Sequence, residues 1–131
     1  MEEKIKKFIK EELAVSERRL EAAKVLLERR MLEDSVNRAY YSIFYAAKAM
    51  LNSLGYDAKT HSGMISEFGL RIIKEKLADK GMGVTLRRAF ELRETSDYQI
   101  GAIIEESEVE SLLKGAKTFL EDAEKFVSKR L

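Results

Sequence analysis

No proline occurs anywhere in this chain of 131 residues, so nothing in it is built to break a helix. Ala, Leu, Glu, Lys and Arg dominate, and these are the strongest helix formers. β-Branched residues are scattered, and no stretch alternates apolar and polar with the period of a strand. The length suits one domain of ordinary size, with material for one hydrophobic core and not two. These features predict an all-α fold: an up-and-down helical bundle of four to five helices, with residues 1–131 as a single domain.

Periodicity places the helices. The first is expected over about 2–29, with Ile5, Phe8, Ile9, Leu13, Ser16, Leu20, Ala23 and Leu27 as its inward stripe. Arg29 to Leu32 reads as a break. The second is expected over about 34–54, capped by Asp34 or Ser35 and closed by Gly55 in the left-handed conformation. Its stripe runs Val36, Ala39, Tyr40, Ile43, Phe44, Ala47, Met50 and Leu54, and Tyr41, Tyr45, Ala46 and Ala49 widen the apolar surface. A helix so apolar is either central or faces a partner, and we expect it to make the chain a homodimer. A third helix should start near His61 and continue through Leu77. Lys80-Gly81-Met82-Gly83 reads as a turn, and a fourth helix should run from a Thr85 cap to Asp97, broken by Gln99-Ile100-Gly101. The fifth is expected over about 105–130 with a capping box Ser107-x-x-Glu110.

Composition removes several chemistries. There is no Cys and one His, which excludes disulfides, thiol nucleophiles and thiolate metal sites and makes a zinc site unexpected. No Gly-rich phosphate loop and no Gly-x-Ser-x-Gly elbow occurs, so no cofactor is expected. The 24 basic residues stand against 23 acidic ones, so the chain as a whole exerts no pull on nucleic acid. The charged start, Met1-Glu2-Glu3-Lys4, does not resemble a signal peptide. No apolar run approaches the roughly 20 residues that span a bilayer. The expected compartment is the cytoplasm, with no membrane partner.

One helix contradicts its own pattern. Leu86 and Phe90 lead an apolar stripe whose next positions are 93 and 97; at 100° per residue all four fall within an arc of about 60°. Those positions hold Arg93 and Asp97. Charges there are costly unless they are paired or serve a function. One reading is a salt bridge that locks the bundle; the other is a cleft in which Arg93 offers its fork to a phosphate. The second helix carries another polar set. Asn37, Arg38 and Tyr41 flank its stripe, and Arg38 and Tyr41 are candidates to share a site with Arg93. Tyr40 and Tyr45 read as core residues whose hydroxyls find partners. His61, at a loop–helix junction, can cap, pack or act as an acid–base group.

Three stretches together resemble the HEPN domain, the higher-eukaryote and prokaryote nucleotide-binding family. They are Arg38-Ala39-Tyr40-Tyr41-Ser42-Ile43-Phe44-Tyr45-Ala46-Ala47, Lys59-Thr60-His61-Ser62-Gly63, and Leu92-Arg93-Glu94-Thr95-Ser96-Asp97-Tyr98. Their order and spacing are similar to those of small stand-alone prokaryotic members. The resemblance implies a dimerising bundle with a polar cleft between subunits, often encoded beside a minimal nucleotidyltransferase. It also implies, for many members, a metal-independent ribonuclease with an Arg-x4-6-His motif. Arg93 matches that arginine, but residues 98 to 100 are Tyr, Gln and Ile, so the motif histidine is missing.

Three functional readings follow. The leading one is a dimeric partner of a minimal nucleotidyltransferase in a toxin–antitoxin-like module. It binds a nucleotide or RNA phosphate near Arg93, with little or no catalysis of its own. The second is a ribonuclease toxin in which Asp97, Tyr98 or His61 replaces the lost histidine. The third is a purely structural module locked by Arg93 and Asp97. The candidate ligand-binding set is Arg93, Asp97, Tyr98, Arg38, Tyr41 and His61.

Overall fold

Long amphipathic stretches separated by short turns give five α-helices and no strand. They are α1 (Glu3–Glu28), α2 (Leu32–Ser53), α3 (His61–Phe68), α4 (Lys80–Tyr98) and α5 (Glu106–Ser128), with a π-helical turn over Gly69–Ile73. The computed structural model describes residues 1–131. α2 is the hub and packs against α1, α3, α4 and α5. Its Val36, Ala39, Tyr40, Ile43, Ala46, Ala47, Ala49 and Met50 are fully buried. Burial of side chains the size of Ile or Met yields about 1.5–3 kcal/mol each, so α2 is the largest single contributor to the core.

α1 and α2 run antiparallel through a tight turn at Arg30, which adopts φ +59°. Buried hydroxyls pin the pair. Ser16 Oγ donates to the Ser42 carbonyl at 2.6 Å, and Ser35 Oγ donates to the Ala23 carbonyl at 2.8 Å. Ser35 is therefore not the cap of α2, which starts earlier, at Leu32, without a side-chain cap. The closing residue of α2 is as expected: Gly55 sits at φ +88°. Ala46 and Ala49 lie wholly inside the bundle, so the breadth of apolar surface on α2 reflects its central place and does not mark an exposed face. Conversely, Ile5 and Phe8 of the expected α1 stripe stay exposed at 42% and 53%.

Three other boundaries differ from the sequence reading, each for a local reason. Lys80 to Gly83 is the first turn of α4 and not a separate turn, because Asp79 Oδ1 accepts from the Gly81 N–H at 2.7 Å and caps the helix. Glycine at 83 is a packing choice: a Cβ there would lie 3.2 Å from Ile73 Cγ1. Thr85 is accordingly interior, against Gly115 of α5. The third helix does not continue to Leu77; it widens into the π-turn, which ends at Ile73, and the chain turns away at Lys76, at φ +58°. The capping box of α5 is formed by Glu105 and Glu108, not by Ser107 and Glu110. No helix is long and apolar enough to cross a membrane.

Candidate functional site

The site grows from adjacent residues of α2 that point in different directions. Successive helical positions differ by 100°, so Tyr40 turns into the core while Tyr41 remains half-buried at its edge. Tyr40 Oη meets His61 Nδ1 at 2.6 Å. His61 reaches it because Thr60 Oγ1 accepts the Gly63 N–H at 2.9 Å, fixing the start of α3 beside α2. The imidazole lies parallel to the Phe44 ring, with centroids 4.5 Å apart, and edge-on to Tyr41 at 5.8 Å.

Arg93 arrives from α4 against two of the same rings. Its guanidinium carbon is 5.1 Å from the Tyr40 centroid and 5.5 Å from that of Tyr41. Asp97 Oδ2 accepts from Arg93 Nε at 3.1 Å. The anticipated ion pair is therefore present, yet Asp97 takes only the Nε edge of the fork. The sole buried side-chain polar atom lacking a partner is Ser96 Oγ, so the terminal nitrogens of Arg93 are not sealed away from water.

Electrostatics set the protonation states. Burial pushes the Tyr40 phenol well above its usual value, against the pull of Arg93, so it stays neutral. Burial, then the charge of Arg93, lowers the pKa of His61; Glu94 opposes this and Lys48 adds to it. The imidazole is thereby biased toward its neutral form, with Nδ1 engaged by Tyr40. Burial also works against the charge of Arg93, but Tyr41, Asp97 and Tyr40 outweigh it and keep the guanidinium cationic. The result is one fixed cation on an aromatic floor, next to a neutral imidazole. That arrangement can hold an anion and offer it a proton acceptor or donor at short range.

The structure brings Arg93, Asp97, Tyr41 and His61 together. Tyr98 is exposed at the end of α4, and Arg38 is exposed one turn before Tyr41, with no hydrogen bond or ion pair to Arg93. Sequence reasoning missed Tyr40 as the partner of His61. It also missed Phe44 as the surface His61 stacks on, and Lys48 and Glu94 as the nearby charges. The signal available was the three-and-four spacing of Tyr41, Tyr45 and Lys48 on one side of α2. No three His, Cys, Asp or Glu side chains come together in a way that would hold a metal ion.

Fold and site define a class: an all-helical bundle whose central helix sets aromatic rings beside an arginine–aspartate pair and the chain's one histidine. The family model described as the HEPN domain matches residues 9–126. A Methanocaldococcus jannaschii protein named "Putative toxin" is 35% identical over 125 residues, covering 92% of each chain. A second protein of that organism, with the same description, is 31% identical and covers 97% of this chain and 86% of its own. A Thermotoga maritima protein named UPF0332 is 35% identical over 108 residues, covering 82% of each. The chain belongs to the HEPN domain family.

Proposed function

We propose that this HEPN protein is a homodimer that binds a nucleotide or RNA phosphate at Arg93. In this reading it is the partner of a minimal nucleotidyltransferase in a toxin–antitoxin-like two-gene module, with little or no catalysis of its own. The observation that carries the phosphate reading is the half-used guanidinium: Asp97 occupies Nε, and the rest of the fork is left beside an aromatic floor that lowers the local dielectric. The toxin-like names of relatives favour a module of this kind, and the nucleotidyltransferase partner rests on the family resemblance. The dimer reading moves to the end of α4 and the loop after it, where Tyr98, Ile100 and Ile103 are exposed at 69%, 105% and 87%.

A titration of labelled RNA against the parent, Arg93→Ala and Arg93→Lys tests the phosphate site. Loss of binding in the alanine variant is expected, with partial loss in the lysine variant, because a point charge cannot reproduce a bidentate fork. Parent-like binding by Arg93→Ala refutes it.

A specific observation favours a second reading, a metal-independent endoribonuclease. In this reading His61, held by Tyr40 at 2.6 Å and in the field of Arg93, takes the place of the missing motif histidine. RNA cleavage in the presence of chelator, abolished in His61→Ala, would support that reading over pure binding. Equal cleavage by both would exclude His61 from it.

A further inference from the structure

From Arg38 to Ser53, every residue of α2 is buried except Arg38, Tyr41, Tyr45, Lys48 and Asn52. Steps of three and four residues place these on one strip, within an arc of about 80° and over an axial length of about 21 Å. The helix that forms the core thus shows solvent a single track of cation, two aromatics, cation and amide. The Tyr41 and Tyr45 rings follow one another at 6.3 Å and 36°. Arg93 lies over Tyr41 toward one end.

At the other end the track opens into a cleft of about 590 Å³. Lys48 and Asn52 line it from α2, Lys4 and Phe8 from α1, and Tyr56 and Asp57 from the loop beyond. Its apolar wall explains a feature the bundle does not: Phe8 lies on the inward stripe of α1 by sequence yet remains 53% exposed. Its polar wall presents the ammonium donors of Lys4 and Lys48 and, beside them, two acceptors. Asn52 Nδ2 donates inward to the Oε1 of buried Glu12 at 2.7 Å, which leaves the Asn52 carbonyl oxygen as the free end of the amide. Asp57 supplies a second acceptor at the rim. Lys48, which lines the cleft, also faces the arginine site: its Nζ is 5.9 Å from the Phe44 ring on which His61 stacks.

Resting on the reading of Arg93 as a phosphate ligand, we propose that this cleft is a nucleobase subsite. It takes a base with an exocyclic amino group from a single-stranded oligonucleotide whose phosphates run along the α2 track between Arg93 and Lys48. Stacking on an exposed aromatic and tracking of the backbone by spaced cations is how single strands are held without a duplex groove. The two acceptors take the amino N–H groups that adenine and cytosine have and uracil lacks, while Lys4 donates to a ring nitrogen of the base. Tyr41 and Asn52 lie about 16 Å apart along the helix, which is more than one nucleotide spans, so the ligand is an oligonucleotide.

Fluorescence anisotropy with short single-stranded homopolymers of adenosine, cytidine and uridine, on the full chain, tests this. The parent is expected to bind the first two more tightly than the third. Phe8→Ala, a change at an exposed position, is expected to weaken adenosine oligomer binding about tenfold. The same variant should leave binding of ribose 5-phosphate, which has no base, unchanged. Unchanged oligomer affinity in Phe8→Ala overturns the subsite even where Arg93→Ala abolishes binding and the phosphate reading stands. Equal affinity for the three homopolymers overturns the amino selection. A Phe8→Ala protein that dissociates to monomer while binding RNA like the parent assigns the cleft to a second copy of the chain and overturns the proposal. Parent-like binding by Arg93→Ala overturns the phosphate reading beneath it.

Discussion

Arg93 and Asp97 can be separated into lock and ligand by melting curves and one RNA titration on three proteins. Their side chains are 15% and 31% exposed, so the pair is neither a solvated surface bridge nor a sealed one. An i, i+4 pair contributes about 0.3–0.5 kcal/mol, and arginine preceding the acid is the poorer order. Asp97 also sits in the last turn of α4, which ends at Tyr98, where a carboxylate opposes the helix dipole at a cost of about 0.3–1 kcal/mol. The pair's own stabilisation is thus nearly offset by its placement. Arg93→Met alone strands Asp97 and removes two cation–π contacts, for a loss of about 1–2 kcal/mol after allowing for the solvent that still reaches the carboxylate. Arg93→Met with Asp97→Leu strands nothing, relieves the dipole and continues the stripe of Leu86 and Phe90. It is expected within about 1 kcal/mol of the parent. For a chain of this length 1 kcal/mol moves the midpoint by roughly 4 °C. The single variant should melt about 4–8 °C low and the double variant within about 4 °C of the parent, having lost RNA binding. A double variant that melts lower than the single one refutes the reasoning, and a stable double variant that binds RNA like the parent makes the pair a lock.

Glu12 is buried, and desolvation raises its pKa from 4.5 despite Asn52 and Lys48, so its ionised form is disfavoured in the fold. The stability this neutral carboxyl contributes is full below pH 4.5 and lost as pH rises through the folded-state value. Glu12→Gln should therefore stabilise the protein at pH 7 relative to the parent, with the gain shrinking in acid; urea melts at pH 7 and 4.5 check it. His61 has the opposite sign. Its pKa falls below 6.5 on folding, so the unfolded chain binds more protons just below that pH and the parent loses stability there. The difference between parent and His61→Gln should shift against the parent between pH 7.5 and 5.5, and a constant difference would contradict the assigned environment. Sedimentation at micromolar concentration should show a dimer that Ile100→Glu with Ile103→Glu reduces to monomer; a monomeric parent refutes the dimer.

The helices were legible because their signal is long and redundant: a dozen apolar positions at the right period outweigh any one misread cap. The misread boundaries share one cause, competition between local partners. Gly81 and Gly83 look like a turn until Asp79 is seen to cap through Gly81 and Ile73 to fill the space beside Gly83. Ser35 looks like a cap until the carbonyl of Ala23, 12 residues away, takes its hydroxyl. The cap at Asp79 was within reach of a sequence window and was outweighed by the glycines, whereas the contact that takes Ser35 forms only when α1 and α2 pack. The site was legible where a residue violated its own pattern, as Arg93 and Asp97 do on an apolar stripe. It was illegible where a residue obeyed the pattern. Tyr40 belongs on the core face of α2 by every count, and its burial is as expected, yet its hydroxyl is what orients His61.

That last contrast bears on how a chain without the motif histidine could keep the geometry the motif supplies. In an Arg-x4-6-His segment, arginine and histidine share a helix turn and its vicinity, so one backbone sets their separation. Here the separation is set by side-chain packing. Arg93 and His61 come from α4 and the start of α3, and each is referenced to the same rings of α2: Arg93 over Tyr40 and Tyr41, His61 against Tyr40 and Phe44. Tyr40 is fully buried and α2 is the most buried helix, so the reference surface is anchored in close-packed core. Tyr40→Phe tests this arrangement, because it keeps the ring under Arg93 and removes only the hold on Nδ1. It should cost about 1 kcal/mol of stability and leave phosphate binding at Arg93 intact. The titration of the sole histidine, followed by NMR, should change. If phosphate binding falls with Tyr40→Phe as far as with Arg93→Ala, the hydroxyl itself contacts the anion, and Tyr40 must be moved from the support of the site into its contacts.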